Sequence, residues 1–357
     1  MIKMKITHIL IISSILITTI TGCKKDKDEP APITQIFDNR VFIANEGPFQ
    51  TGTGTISIFY RDSLKVLNNV FEQVNGKVLG NIVQSIEVFN EKAYIVVNNA
   101  NKIEVVDEKD FVSTAYIEGV VLPRYFLGIN NTKAYVTSWN NVVEVIDLNS
   151  NTVTKTIPTG TGPEKMLLTG NKVFVLNQGG FGIDSTISVI DAQSDNVIAT
   201  INVEKKPTGI QLDENGKVWV MCSGNGWNGW PQPDDTEGHL ICINPDDYSI
   251  EEDFAFPTTS EHPEKLIINK DKNILYYKYP GGVYCFDINS TELNLTLLIE
   301  RPAGFYGFGF DNSTEYIYAT DPLDFVQDGW FLRYNAVTGT AVDSFKVGII
   351  PGEFYFN

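Results

Sequence analysis

Histidine is the rarest residue in this chain of 357: three in all, His8, His239 and His262. His8 falls in an apolar leader, so the rest of the chain has two, and a histidine-rich metal centre is excluded. Cysteine is almost as sparse, at four, and no Cys/His spacing of the zinc type occurs. Basic charge is short as well. The chain has 27 Lys and Arg against 44 Asp and Glu, a net −17, so nucleic acid and anionic lipid surfaces are poor partners. No G-x-S-x-G elbow is present to present a nucleophilic serine. Gln178-Gly179-Gly180-Phe181-Gly182 is glycine-rich, but no helix pattern follows it, so it reads as a loop tip and not a phosphate cradle.

Long apolar runs are also missing. The longest, Ile6 to Ile20, is shorter than the roughly 18 residues of a spanning helix and follows Lys3 and Lys5, as in a removed signal peptide. It ends in Ile20-Thr21-Gly22-Cys23, which resembles a bacterial lipobox. That resemblance implies cleavage before Cys23 and acylation of its thiol. The next residues, Lys24-Lys25-Asp26-Lys27-Asp28-Glu29-Pro30-Ala31-Pro32, are charged and lack large apolar groups, so they read as a tether. The expected organisation is a signal peptide over 1–22, an acylated cysteine and tether over 23–38, and one folded domain over 39–357. A charged stretch after the cysteine resembles surface-export signals of Bacteroidetes lipoproteins. It implies an outer-membrane protein facing the exterior, in contact with membrane only through its lipid.

What the sequence does have is a repeat. One short strand recurs as Val41-Phe42-Ile43-Ala44, Ala93-Tyr94-Ile95-Val96, Ala134-Tyr135-Val136-Thr137 and Val173-Phe174-Val175-Leu176. It continues as Val218-Trp219-Val220-Met221, Leu275-Tyr276-Tyr277-Lys278 and Ile317-Tyr318-Ala319-Thr320. Each copy is followed by a second strand, six of them ending in Asp or Asn, then by a turn of Asn, Ser, Asp and Gly. Such turns join antiparallel strands in a meander. Proline recurs at Pro123, Pro163, Pro207, Pro263 and Pro351, where the next strand begins. The strands are apolar at nearly every position, which suits sheets packed on both faces. The period and the count give an all-β, seven-bladed β-propeller. Pro351 to Asn357 matches the opening strand of a repeat, and Val41 lacks one. The C-terminal segment is therefore expected to complete the first blade and close the ring. Cys242 and Cys285 fall where other repeats carry Val105, Val145 and Val189, as small core residues. Cys222 sits diagonally from Cys242, and a disulfide between them is not favoured.

Ala134 to Ser138, Val143 to Asp147 and Gly162-Pro163 resemble the YVTN-type propeller repeat. Phe42-Ile43-Ala44-Asn45-Glu46-Gly47-Pro48-Phe49, Ile95-Val96-Val97-Asn98-Asn99, Pro123-Arg124-Tyr125 and Val347-Gly348-Ile349-Ile350-Pro351-Gly352 resemble the YncE-like surface lipoproteins of Bacteroidetes. That group includes the BtuG proteins, which capture cobalamin for a TonB-dependent transporter. The resemblance implies a bulky ligand such as cobalamin, and such a transporter as partner.

In a propeller, the loops between second and third strands open on one face around the channel. That face gathers Asn45, Glu46, Phe49 and Gln50, then Asn98, Asn99 and Asn101, then Trp139, Asn140 and Asn141. Asn177, Gln178 and Phe181 follow, with Tyr279, then Asp321, Asp324, Phe325, Gln327 and Trp330. The longest insertion, Ser223 to Asp235, carries Trp227 and Trp230. Aromatic rings interleaved with amides suit a large amide-rich or sugar-like ligand. Glu164 and Glu264 occupy matching positions at the starts of repeats, and Arg124 fills the equivalent site and is placed to pair with either. They suit either a cation site or a solvated channel lining. The expectation is a non-enzymatic capture protein without a cofactor. The alternatives are a propeller enzyme of the lactonase or quinoprotein kind, and a cell-surface interaction module.

Overall fold

The structure is a computed structural model that describes residues 39–49 and 51–357. Cys23, the leader, the tether and Gln50 lie outside the described residues. The described chain forms seven four-stranded antiparallel sheets, each a meander, arranged as a propeller. In the second blade the strands run outward from the axis as Val83–Phe89, Lys92–Val97, Lys102–Asp107 and Ser113–Ile117. Each inner strand packs against the next, from Val83–Phe89 around to Pro351–Phe356 and back, so the ring is closed. One short helix, Val70–Asn75, covers the outer end of blade one.

Burial explains why these segments are strands. Val218–Cys222 and Arg40–Asn45 are buried along their whole length, while the outermost Ile250–Ala255 is almost wholly exposed. Second strands lie between neighbouring blades, and their apolar side chains fill both gaps; a β-branched or aromatic run is what such a position stabilises. The recurring ring explains itself the same way. Phe42, Tyr94, Tyr135, Phe174, Trp219, Tyr276 and Tyr318 are all buried, each worth roughly 2–3 kcal/mol in area removed from water. Tyr94 stacks on Phe126 of blade three (centroids 4.1 Å apart), and Phe42 on Phe111 of blade two (5.6 Å). The apolar clusters therefore sit between blades, and one joins blade seven to blade one through Val41, Phe59, Tyr318, Phe331 and Phe354.

The terminal polar residue of each third strand has a local task. Asp107, Asp147, Asp191, Asn244, Asp287 and Asn335 each accept the backbone N–H two residues on (2.8–3.2 Å), an Asx turn that sets up the last hairpin. Blade one has Arg61 after its third strand instead, and Arg61 is spent on closing the ring. The closing strand itself is as the sequence predicts: Pro351–Phe356 pairs with Arg40–Asn45, with Val41 opposite Phe356 and Ile43 opposite Phe354. Cys242 and Cys285 take the repeat position expected of them, with Cys285 only partly buried, while Cys222 lies farther along the strand than a diagonal to Cys242. Cys242 lies opposite Trp219 and Cys285 opposite Tyr276, as Val105 lies opposite Tyr94; Cys222 lies opposite His239, and all three thiols are free.

Candidate functional site

Exposed aromatic rings mark one end of the propeller. Phe181 is 92% exposed, Trp227 73%, Trp230 71% and Phe49 70%, with Phe325 and Trp330 also solvent-facing. The first four and Phe325 lie on loops between second and third strands, and Trp330 lies early in the strand leaving such a loop. Of the large exposed aromatics among the described residues, Tyr116 on an outer strand is the exception. The exposed rings are thus gathered at one channel mouth and not scattered over the surface. Trp227 and Trp230 do not pin their insertion down. Its base is held by polar contacts instead: Asn225 Nδ2 donates to the Asp234 carbonyl (3.0 Å) and Asn228 brackets both backbone groups of His262 (2.7 and 3.0 Å). Lys206 reaches over the Trp227 ring at 5.1 Å.

Two aromatic ladders lead from the rim into the channel. Phe181 meets Trp139 edge-on (4.9 Å), and Trp139 lies under the Arg124 guanidinium (4.1 Å). Arg124 donates through Nε to Glu164 (2.9 Å) and through Nη1 to Gln84, and the Trp139 indole N–H donates to the same Glu164 carboxylate (2.7 Å). On the other side Phe325 meets Tyr306 (5.7 Å), whose hydroxyl donates to Glu46 (2.7 Å). The pairing of Arg124 with Glu164, open in the sequence, is thus settled; Glu264 instead takes Lys278 (3.2 Å). Gln84, Arg124, Glu164, Thr208 and Glu264 are second residues of their inner strands or follow the repeated proline, so they form one polar arc at one depth, with Gly352 at the matching place in blade one.

The next ring closes the channel. Lys165 of blade four reaches Glu353 of blade one (2.8 Å), and these blades face each other across the lumen. The Lys165 ammonium also lies over the Tyr125 ring (5.2 Å). This ion pair bars the lumen below the polar arc and lays a charged floor beneath the mouth. Burial dominates the electrostatics there. It raises Glu46 above the usual carboxylate range, against the Tyr306 hydrogen bond that pulls the other way. It pushes Glu87 up to about 8, with the Glu353 charge adding to the rise, and it pushes the Lys265 ammonium down.

The residues expected from sequence divide into three groups. Glu46, Phe49, Trp139, Phe181, Trp227, Trp230 and Phe325 face the mouth or its ladders. Asn45 and Asn177 do not: both are fully buried and donate to Ser57 (2.9 Å) and Ser188 (3.0 Å) of their own blades. Asn98 is buried against the Pro123 carbonyl (3.0 Å) and Tyr279 is buried on Glu261 (2.8 Å), so these four are structural. Asn99 is tied to Asn81 (2.9 Å), Asp321 pairs with Arg301, the Asn140 N–H donates to Ser138 Oγ (3.1 Å), and the Gln178 N–H donates to the Gly162 carbonyl ahead of the blade-four inner strand (3.1 Å). The floor residues Tyr125, Lys165, Lys265 and Glu353 were missed by sequence reasoning. Their signal is a polar residue two places after the repeated proline, in strands otherwise apolar. Two concavities lie elsewhere: a water-sized cavity under the Val70–Asn75 helix beside Thr53 and Leu79, and an open one of about 360 Å³ on the opposite face, lined by Ile129, Lys133 and Leu168. Among the described residues, no three His, Cys, Asp or Glu side chains converge as metal ligands.

Residues 39–356 match a family described as a domain of unknown function (DUF5074). The chain belongs to that family. No curated protein matches it. Among solved structures, it is similar to the periplasmic gluconolactonase PpgL of Pseudomonas aeruginosa, with TM-score 0.66 and 9% identity over 89% of this chain and 98% of that one. It is also similar to a quinoprotein alcohol dehydrogenase-like protein of Bacteroides thetaiotaomicron (TM-score 0.64, 15% identity, 90% and 78% covered). A functionally unknown protein of Desulfotomaculum acetoxidans gives 0.65 at 14% identity, with 89% and 98% covered. At such identities these likenesses establish the propeller and nothing about its chemistry.

Proposed function

We propose that this DUF5074 protein is a binding protein that holds a bulky, ring-bearing nutrient on the aromatic mouth of its propeller. The observation that carries the reading is the placement of Phe49, Phe181, Trp227, Trp230 and Phe325 around one channel end, above a blind, charged cup. Apolar rings cover the faces of a large ligand, and the Arg124, Gln84 and Glu164 layer meets its polar edges. Cobalamin is the specific candidate. It combines a broad planar macrocycle with peripheral amides, and the resemblance to the YncE-like lipoproteins points the same way. In this reading the protein is anchored through Cys23 at the outer-membrane surface and passes its ligand to a TonB-dependent transporter.

Calorimetric titration of the soluble domain from Asn39 onward with cyanocobalamin tests the ligand. Saturable heat with unit stoichiometry is expected, together with a loss of about tenfold or more in affinity in each of Trp227→Ala and Trp230→Ala. Absence of heat at micromolar protein sinks cobalamin. Oligosaccharides that bind and lose affinity in the same variants would keep the mouth and change the ligand.

A further inference from the structure

Among the described residues, three arginines donate through Nε to a carboxylate, and one of the three leaves the pairing half made. At Arg61 both prongs close: Nε donates to one oxygen of Asp311 (2.8 Å) and Nη2 to the other (3.0 Å). At Arg333, Nε and Nη2 likewise take the two oxygens of Asp343 across neighbouring strands of blade seven. Arg124 differs. Its Nε reaches Glu164 Oε1 (2.9 Å) and its Nη1 is spent on Gln84, yet Nη2 and Glu164 Oε2 make no hydrogen bond among the described residues.

The surroundings keep that half open. Glu164 is buried, and its Oε1 already accepts from two donors, Arg124 Nε and the Trp139 indole N–H (2.7 Å), so the carboxylate is pinned by one oxygen. Trp139 also lies under the guanidinium (4.1 Å), and one side chain thereby holds both members of the pair. Neither Nη2 nor Oε2 is sealed away from the lumen. In a guanidinium, Nη2 and Nε direct N–H groups along the same edge, the edge that a carboxylate normally meets with both oxygens. The free Nη2 and the free Oε2 are therefore a donor and an acceptor on the same side of the pair.

Charge decides what can fill such a gap. A carboxylate would accept from Nη2 and set its second oxygen against Oε2. An ammonium would satisfy Oε2 and face the guanidinium. A primary carboxamide meets both, its carbonyl taking the Nη2 hydrogen and its N–H reaching Oε2, and it brings no charge to a pair that is already neutral. On the reading of the mouth as a binding site, on which this inference rests, we propose that the half-made fork of Arg124 and Glu164 is its specificity element. It selects a ring system carrying an uncharged carboxamide over one carrying a carboxylate.

Saturation-transfer NMR at neutral pH with nicotinamide and nicotinate tests this, since the two present one ring with an amide or an acid. The protein is the propeller Asn39–Asn357, whose ring closes with its own residues. Nicotinamide should bind saturably, and nicotinate about tenfold more weakly. Glu164→Gln can keep Oε1 on Arg124 and Trp139 while exchanging the free acceptor for a donor, so the preference should invert, nicotinate gaining and nicotinamide losing affinity. Arg124→Lys removes the fork and should bring the two probes within about twofold of each other. Urea midpoints confirm that each variant is folded. Cyanocobalamin titrated in parallel separates the two readings. If it fails to bind while the amide preference and its inversion hold, cobalamin falls and the fork stands. If it binds with an affinity that Glu164→Gln leaves unchanged, the mouth stands and the fork falls. Equal binding of the two probes by wild type, an unaltered preference in folded Glu164→Gln, or binding of neither probe would overturn the assignment.

Discussion

Ring closure should hinge on one buried guanidinium. Arg61 follows the third strand of blade one, and its Nε and Nη2 grip Asp311 at the end of the inner strand of blade seven (2.8 and 3.0 Å). Its Nη1 donates to the carbonyls of Arg40 (2.9 Å) and Asn357 (2.8 Å) and to Asn39 Oδ1 (2.9 Å), so three parts of the closure seam meet at one side chain. Both partners are buried. Arg61→Met leaves the Asp311 charge uncompensated in the interior, which costs on the order of 3–5 kcal/mol. For a domain of this size that is roughly 4–8 °C in Tm. Burial alone would raise the Asp311 carboxyl; the hydrogen bond and charge of Arg61 outweigh it and hold the group below its ordinary 3.8. The pair therefore stabilises the fold above pH 4, and that contribution is lost as pH falls through the folded-state value. In Arg61→Met burial is opposed only by the hydrogen bonds from Thr314 (2.8 Å) and the Ser313 N–H (3.0 Å), so the carboxyl rises relative to wild type and its penalty fades as it protonates on acidification. Urea unfolding at pH 7 and pH 4 should show a large loss that shrinks at the lower pH, and Arg61→Met/Asp311→Leu should recover most of it. A loss under about 1 kcal/mol at pH 7, or a double variant as weak as the single, would refute the reasoning.

Deleting Pro351–Asn357 removes the inner strand of blade one and bares Phe42 and Phe331; the truncated chain should lose its cooperative thermal transition by circular dichroism, and a sharp transition would contradict the closure. Glu87 binds its proton up to about pH 8 when folded but only to its ordinary 4.5 when unfolded. Native stability should therefore fall between pH 4.5 and 8 relative to Glu87→Gln, by about 1–3 kcal/mol after allowing for channel water; parallel stability curves would rule this out. Burial raises the Cys222 thiol strongly and pushes Cys242 to about 12. Both should resist a thiol reagent in the folded protein and react in urea without prior reduction, and a thiol that appears only after reduction would mean a disulfide.

The architecture was legible because a propeller writes one rule seven times. The buried ring at Phe42, Tyr94 or Trp219 and the turn carboxylates at Asp147 or Asp191 answer local demands, and local demands leave a periodic trace. The closing strand was legible for the same reason, as a surplus half-repeat at one end. Loop residues were harder. Asn45 and Asn177 look like surface amides in sequence, yet both end second strands and turn inward to a serine of the next strand. Only the register tells an inward amide from an outward one. The floor was harder still: Lys165 and Glu353 are 188 residues apart, and nothing in either repeat announces that their blades face each other.

The barred channel constrains how such a protein can work. With Lys165 and Glu353 joined across the lumen, a ligand at the mouth has no through-route. If the protein binds as proposed, entry and release use the same opening, and the loops of the rim govern both. The largest of them is built to present its aromatic rings without yielding. A Cβ on Gly226 would stand 2.2 Å from the buried His262 ring nitrogen, so the insertion can adopt this course only with glycine there. His262 in turn bonds through Nδ1 to the Ser223 carbonyl (2.9 Å), fixing the loop where it leaves its strand. The base is rigid and the tips of Trp227 and Trp230 are free in solvent. That combination lowers the ordering cost of capture and leaves affinity to the contacts themselves. Under the proposed capture role, handing the ligand on requires a partner that competes for those same rings, because the Lys165–Glu353 pair bars the other end of the channel.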